Sequence, residues 1–368
     1  MSRKPTRRDF LTGRAISEAA ADRQQPAILG GAPTPDEAAG ESYLLHVARR
    51  AMACQFQVFF NMGQYANATE AAMESLDEIE GLESQLSVFR LTSEISRINA
   101  LAVDGPIAVE PRLFELLEVA LRLYKETAGA YDITSTPLWK AWGFARHEGK
   151  IPTAEELAAA RQCVGSQFVE LDAERKTVRL LQPGVELNLG SIGKGHALDR
   201  AAEVLAAAGI GDFLFHGGQS SILARGSQLT DGQSADAENP QGWTVGIRHP
   251  LRKNVRLAEV RLRNRALGTS GTENQFFRHQ GRRYGHILDP RTGWPADQLL
   301  SATVIAPSAA LADALSTAFF VMGAEAALDY CQTRPDIATV LLQPVRGAKG
   351  YGIRTAGLDE GDLRLLAE

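Results

Sequence analysis

"ELNLGSIGKGHALDRAAEVLAAAG", residues 186–209, reads as a strand entering a glycine-rich turn that opens a helix. Gly190, Gly193 and Gly195 would let backbone N–H groups approach a ligand closely, and a helix N-terminus adds partial positive charge. Lys194 could add a full charge. A tight strand-to-helix turn without any ligand is the alternative. Two phosphate-binding patterns fail here. A Walker A loop needs glycine five residues before Gly193 and Ser or Thr after Lys194, where Asn188 and Gly195 stand. The GxGxxG spacing of a dinucleotide fold is also absent. The turn therefore suggests a phosphate or cofactor edge outside both families.

Strands and helices alternate on either side. Upstream, Phe56, Val58 and Phe60 fit a half-buried strand, and Ala72, Leu76, Ile79, Leu82 and Leu86 form one stripe of an acidic helix. "PRLFELLEVALRLYKET" predicts a helix with proline near its first position, and Thr153 with Glu156 has capping-box spacing. "QFVELDAERKTVRLL" predicts a hairpin. Downstream, "DFLFH", "WTVGI", "LAEVRLR", "SATVIA" and "IATVLLQ" predict strands, and "SAALADALSTAFFVMG" a helix. The polar segment 226–241 predicts a surface loop. No repeat and no clean linker interrupts this pattern. The fold class is α+β, as one compact domain over 43–345 with a polar C-terminal tail at 346–368.

Composition narrows the possibilities. Of the 368 residues, 44% are hydrophobic and 23% charged, as in a globular protein. A net charge of −5 gives no reason to expect nucleic acid or an anionic membrane as partner. Cys54, Cys163 and Cys331 are odd in number and widely spaced, which argues against a disulfide framework. No apolar run approaches the roughly 20 residues of a membrane span. Arg7 and Arg8 followed by Phe10 and Leu11 resemble a twin-arginine export signal, but Arg14, Glu18, Asp22 and Arg23 interrupt the apolar stretch such a signal needs. Residues 1–42 are expected to be a disordered leader with a degenerate signal. That favours a cytoplasmic protein; a working signal would place it in the periplasm or at the membrane.

Four further stretches carry groups able to do chemistry. Gly217 and Gly218 in "FHGGQSSILARG" would permit close approach to a flat ligand or to a neighbouring strand. Thr269, Ser270 and Gly271 resemble a nucleophile elbow, yet Thr272 stands where its last glycine belongs, which argues against a serine hydrolase and leaves small hydroxyls able to bond a phosphate or a ring edge. Asp313 and Thr317 share one face of an apolar helix, where an unpaired carboxylate is costly. Hard oxygens of this kind suit Mg²⁺, although Thr317 back-bonding with Asp313 paired to an arginine is the alternative. In "YGHILDPRTGWPADQ", residues 284–298, Pro290, Gly293 and Pro295 restrict a loop that also carries His286, Asp289 and Arg291.

In order along the chain, "AMACQFQVFF", "QLSVFRLTSEISRIN", "GAYDITSTPLWKAWGF", "LNLGSIGKGHALDRAAEVL", "FHGGQSSILARG", "WTVGIRHP", "LGTSG", "YGHILDPRTGWPA" and "ADALSTAFFVMG" resemble the FAD:protein FMN transferase (ApbE) family. The resemblance covers roughly residues 44–325. It implies an α+β unit with a T-fold-like core of mainly antiparallel sheet packed by helices. It also implies a Mg²⁺-dependent bacterial enzyme that moves the FMN half of FAD onto a Thr or Ser hydroxyl of an acceptor flavoprotein redox subunit, releasing AMP. Some relatives hydrolyse FAD to FMN and AMP instead.

The same resemblance assigns roles by position. Met52, Phe89, Ala130, Tyr131, Asp132, Asn188, Lys194, Gly217, Gly218, Ser270 and Ile287 would contact FAD. Asp313, Thr317 and the Ser191 carbonyl would hold Mg²⁺, and His286 would take the acceptor's proton while Lys194 neutralises charge. The chain departs from the pattern at Asn188 and Gln219, where the family usually has Asp, at His196, where an aromatic is common, and at Cys54 in place of Thr. An FAD pyrophosphatase using the same site with water is one alternative, and the first two departures suggest another, an FAD-binding protein without catalysis.

Overall fold

Strands whose side chains alternate between two apolar faces need cover on both sides, and that requirement organises this molecule. The computed structural model describes residues 44–146, 148–229, 242–252, 254–272, 275–345 and 350–366. These fall in one compact unit. Its frame is an eight-stranded sheet: β1 (Leu44–Ala51), β2 (Cys54–Asn61), β3 (Phe213–Gly217), β4 (Ser221–Arg225), β5 (Ala266–Gly271), β6 (Ser301–Ala306), β7 (Ala338–Pro344) and β8 (Tyr351–Ala356). The strands follow chain order across the sheet, and every neighbouring pair is antiparallel.

Alternation then sorts the residues into two cores. Phe213 and Phe215 of β3 enter one, while Leu214 between them enters the other. Val304 and Ala306 of β6 are split from Ile305 in the same way, and all of β6 is buried. The first core is closed by helices α1 (Ala68–Leu86), α2 (Gly193–Ala207) and α3 (Ala309–Met322), with α2 packed between the other two. The second is closed by a three-stranded sheet of Trp243–Arg248, Arg256–Leu262 and Leu363–Leu365. Burying each large apolar side chain contributes roughly 1.5–3 kcal/mol, so both faces are stabilising. A third, smaller core gathers Leu138, Trp142, Phe144, Tyr284 and Leu288 under the 284–298 loop.

Local signals are realised closely. Ala72, Leu76, Ile79, Leu82 and Leu86 are the buried stripe of α1. Pro111 opens the Pro111–Glu126 helix, and Thr153 and Glu156 form both reciprocal bonds of a capping box before Ala154–Gln162. The predicted hairpin pairs Val169–Asp172 with Thr177–Leu180. Cys54, Cys163 and Cys331 are free thiols.

Three expectations need correction. The segment before the glycine turn is not a strand, because its backbone groups pair outside any ladder. Leu187 exchanges both its N–H and its carbonyl with the Asn99 side chain, and Asn188 donates to the Ile133 carbonyl. The stretch 346–368, expected to be a polar tail, carries β8 at the sheet edge and the strand Leu363–Leu365. Edge strands need few apolar residues; Tyr351, Ile353, Leu358 and Leu363 pack on the second core, and the residues between them are mostly polar or glycine, which gives the stretch its polar look. Finally, Gly217 and Gly218 serve strand packing. A side chain at Gly217 would press on Phe56 and Leu198, and Gly218, at φ +65°, lies against Cys54 and donates its N–H to Gln55. The expected leader, residues 1–42, lies outside the described residues, as do 230–241 of the expected surface loop. Among the described residues no helix is long and apolar enough to cross a membrane.

Candidate active site

The edge of the sheet where β3, β4 and β5 turn, the first turn of α2 and the polar face of α3 surround a cleft of about 390 Å³. Lining it are Phe89, Ala130, Tyr131, Asp132, Asn188, Ser191, Lys194, Ser270, His286, Ile287, Asp313 and Thr317, twelve residues the sequence singles out from six separate stretches. Met52 is not among the lining residues. With Ala53 it forms the two-residue β1–β2 turn, both at positive φ (47° and 58°), and its side chain packs on the first core.

Asp313 is a buried carboxyl of the cleft, 6% exposed. No arginine pairs with it among the described residues. Its Oδ2 instead accepts the Gly195 N–H at 2.8 Å and the Ser221 hydroxyl at 2.9 Å. Gly195 can approach so closely because α2 and α3 touch there: a Cβ on Gly195 would fall on the Ala309 carbonyl. Burial raises the Asp313 pKa, with Lys194 and the two hydrogen bonds opposing. Both donors fall on Oδ2, which leaves Oδ1 without one among the described residues. One turn along α3, Thr317 Oγ1 lies 3.1 Å from Ser270 Oγ and 3.4 Å from the Asp313 carbonyl, while Ser316 Oγ lies 2.9 Å from Ser270 Oγ. Ser270 is thus tied to α3 by hydroxyl contacts and has no base beside it, consistent with the failed elbow pattern.

Lys194 donates to Ser220 Oγ at 2.9 Å rather than to Asp313. Asn188 Oδ1 accepts the Gly190 N–H at 2.9 Å, so the asparagine closes the glycine turn locally. Tyr131, buried, accepts the Ser191 hydroxyl at 3.3 Å, and burial raises its pKa. Asp132 lines the cleft but spends its oxygens elsewhere. It accepts the Thr134 N–H at 2.8 Å, the Thr134 hydroxyl at 2.7 Å and the Ser166 hydroxyl at 2.8 Å, which pins the 131–134 segment to Ser166. Phe89 stands at the cleft mouth, 77% exposed.

His286 has its Nδ1 set by a backbone carbonyl. Its Nδ1 lies 3.0 Å from the Gln275 carbonyl, an acceptor, so Nδ1 carries the proton and Nε2 keeps its lone pair. Burial lowers its pKa, the Gln275 carbonyl opposes, and the positive charge of Lys194 lowers it further. The loop that presents it is braced throughout. Arg291 grips Asp289 through Nε and Nη2, both at 2.9 Å, Trp142 Nε1 donates to the Gly293 carbonyl at 2.8 Å, and Ala296 N–H to that of Ile287 at 3.0 Å. Gly293 sits at φ +79°, with Leu157 where a Cβ would go.

Sequence reasoning missed Ser220, Ser221 and Ser316. The adjacent serines after Gly217–Gly218 were a usable signal; the Gln275 carbonyl left none, since every residue has one. The oxygen set of one carboxylate, a hydroxyl and the carbonyl-bearing turn at Ser191 fits a hard cation that keeps water and phosphate ligands. Among the described residues no three or more His, Cys, Asp or Glu side chains converge. A cation here would therefore draw its other oxygens from phosphate and water.

Residues 52–341 match the sequence profile described as the ApbE family. The chain is 30% identical over 321 residues to a FAD:protein FMN transferase of Haemophilus influenzae, covering 84% of this chain and 89% of that protein. It is 32% identical over 305 residues to one of Treponema pallidum, covering 80% and 84%. Among solved structures, the flavin transferase ApbE of Vibrio cholerae superposes with a TM-score of 0.73 at 27% identity, covering 86% of this chain and 98% of that one. The ApbE protein of Thermotoga maritima gives 0.73 at 26% identity, covering 85% and 96%. With its cleft built from the same stretches that carry the resemblance, the chain belongs to the ApbE family.

Proposed function

We propose that the protein is a flavin transferase that moves FMN from FAD to a Thr or Ser hydroxyl of an acceptor flavoprotein, with Mg²⁺ bound and AMP released. The observation that carries this reading is His286, its Nδ1 set against the Gln275 carbonyl, lining the same cleft as Lys194 and the one-sided Asp313 carboxylate. In the transfer, the acceptor oxygen bonds to the flavin-side phosphorus and the bond from that phosphorus to the bridging oxygen breaks. The hydroxyl proton passes to His286 Nε2, and the bridging oxygen leaves with AMP. His286 can take that proton at neutral pH because burial and Lys194 keep it unprotonated.

Lys194, held by Ser220, would offset the growing charge on the leaving phosphate. Asp313 Oδ1, Thr317 Oγ1 and the Ser191 carbonyl would hold the cation, which when bound neutralises phosphate oxygens. The remaining lining, from Phe89 through Tyr131 to Ile287, offers an aromatic and apolar wall suited to a flavin ring.

The test is mass spectrometry of a candidate acceptor after incubation with the protein, FAD and Mg²⁺. A gain equal to one FMN on a Thr or Ser, abolished by Asp313→Ala with circular dichroism unchanged, is the expected result. Equal labelling by Asp313→Ala would remove the metal assignment. Rapid release of FMN and AMP without acceptor, and no labelling with it, would make the protein a pyrophosphatase.

A further inference from the structure

The β3–β4 turn holds two neighbouring serines that treat the two charges of the cleft differently. Adjacent residues in a strand point to opposite faces, yet Ser220 Oγ and Ser221 Oγ are only 3.5 Å apart. The turn makes this possible, since Gly218 takes φ +65° just before them. Ser220 receives Lys194 Nζ, and Ser221, fully buried, donates to Asp313 Oδ2. No ion pair within 4.0 Å joins Lys194 to Asp313 among the described residues, so the serines stand between the charges.

The orientation of an aspartate carboxyl is weakly set by its own torsion, because χ2 of Asp has broad, two-fold minima. Hydrogen bonds must therefore choose which oxygen faces the cleft. Here two do: the Gly195 N–H arrives from the α2 backbone and the Ser221 hydroxyl from the sheet. Both select Oδ2. With the Gly195 N–H alone, the carboxylate plane could swing about that one bond, and Oδ1 would lose its fixed direction. Partners of this kind around a metal ligand are typically worth about 10- to 100-fold in metal affinity.

We propose that Ser221 is a positioning residue for Asp313: with the Gly195 N–H it locks Oδ2, so that Oδ1 is the oxygen offered to a divalent cation in the cleft. This rests on the proposed metal role of Asp313. The hydroxyl touches neither substrate nor cation; it acts through the carboxylate it holds.

The experiment titrates Mn²⁺ into the full-length protein saturated with FAD, without acceptor, and reads free Mn²⁺ by electron paramagnetic resonance. Wild type, Asp313→Ala, Ser221→Ala and Ser221→Thr are compared, with flavin fluorescence giving FAD affinity in metal-free buffer. The expected result is loss of the Mn²⁺ site in Asp313→Ala, affinity about 10- to 100-fold weaker in Ser221→Ala, and recovery in Ser221→Thr, with metal-free FAD affinity unchanged across the Ser221 variants. Ser221→Ala binding Mn²⁺ within twofold of wild type, while Asp313→Ala does not bind, would overturn the inference and leave the metal reading standing. Equal binding by wild type and Asp313→Ala would overturn both. A Ser221→Ala protein with disturbed circular dichroism leaves Ser221→Thr to decide, since a structural defect would change metal-free FAD affinity and a positioning defect would not.

Discussion

The backbone N–H of Gly195 and the carboxylate of Asp313 meet at 2.8 Å, joining the first turn of α2 to the middle of α3. The favour is returned at the other end of the contact. Asp199 of α2 accepts the Ala309 and Ala310 N–H groups at 2.8 and 2.9 Å, and so caps the start of α3. Each helix thus satisfies free N–H groups at the other's N-terminus. The latch that holds the two helices also sets the position of the cleft's buried carboxylate.

Gly195→Ala should break that latch. Its Cβ would fall on the Ala309 carbonyl and the Ala310 N–H, both backbone, so the helices must separate. Overpacking of this kind costs about 1–3 kcal/mol. Urea unfolding should show a stability lower by that amount, accompanied by loss of transfer because Asp313 loses one of its two donors.

Asp199 makes stability depend on pH. Burial pushes its carboxyl up to about 6, against the Ala310 and Ala309 N–H groups and Arg225. A folded value above the unfolded one means the site's stabilisation is complete below the unfolded value, near 4, and is lost as pH rises through about 6. Between these limits wild type should lose roughly 1–3 kcal/mol relative to Asp199→Asn. Thermal melts of both proteins at pH 4 to 7.5 measure the difference.

His286 should set an acid limb below the ordinary imidazole range. Its lowered pKa, caused first by burial, moves the loss of the base form to more acid pH than for an ordinary imidazole. The acid limb of the transfer rate should therefore have its midpoint below 6.5. His286→Gln should reduce it about 10²- to 10⁴-fold, the usual worth of a general base. The ring titration followed by NMR gives a midpoint under 6.5 in wild type.

Asp289→Ala should loosen the loop that carries His286. It removes both bonds to the Arg291 guanidinium and the one to the Arg291 N–H. Small misplacements of reacting groups cost up to about 10²-fold, and a loop still held by Trp142 should lose about tenfold in turnover. Steady-state assays should place the loss in kcat, with the His286 midpoint unmoved.

Much of this architecture was readable before folding. The stripe of α1, the capping box at Thr153 and the alternation of Phe56, Val58 and Phe60 are periodic signals, and burial followed the period. Segments whose apolar content is low or whose partners are distant were not readable. Tyr351–Ala356 looks like a tail because an edge strand needs little apolar surface, and Leu187 looks like strand although Asn99 takes its hydrogen bonds. Gly217 and Gly218 could have served a ligand or a strand, and only the positions of Phe56, Leu198 and Cys54 distinguish the two.

By itself the sequence singled out groups able to do chemistry: His286 in a rigid loop, Lys194 in a glycine turn, Asp313 and Thr317 on one helix face. Spacing and residue type suffice for that, because they act within a single element. The tertiary structure alone decided which partner each group has. The tautomer of His286 depends on the Gln275 carbonyl, the free oxygen of Asp313 on Gly195 and Ser221, and the place of Lys194 on Ser220. Those are hydrogen bonds between groups far apart in the chain, and no local pattern encodes which distant partner a buried polar atom will find.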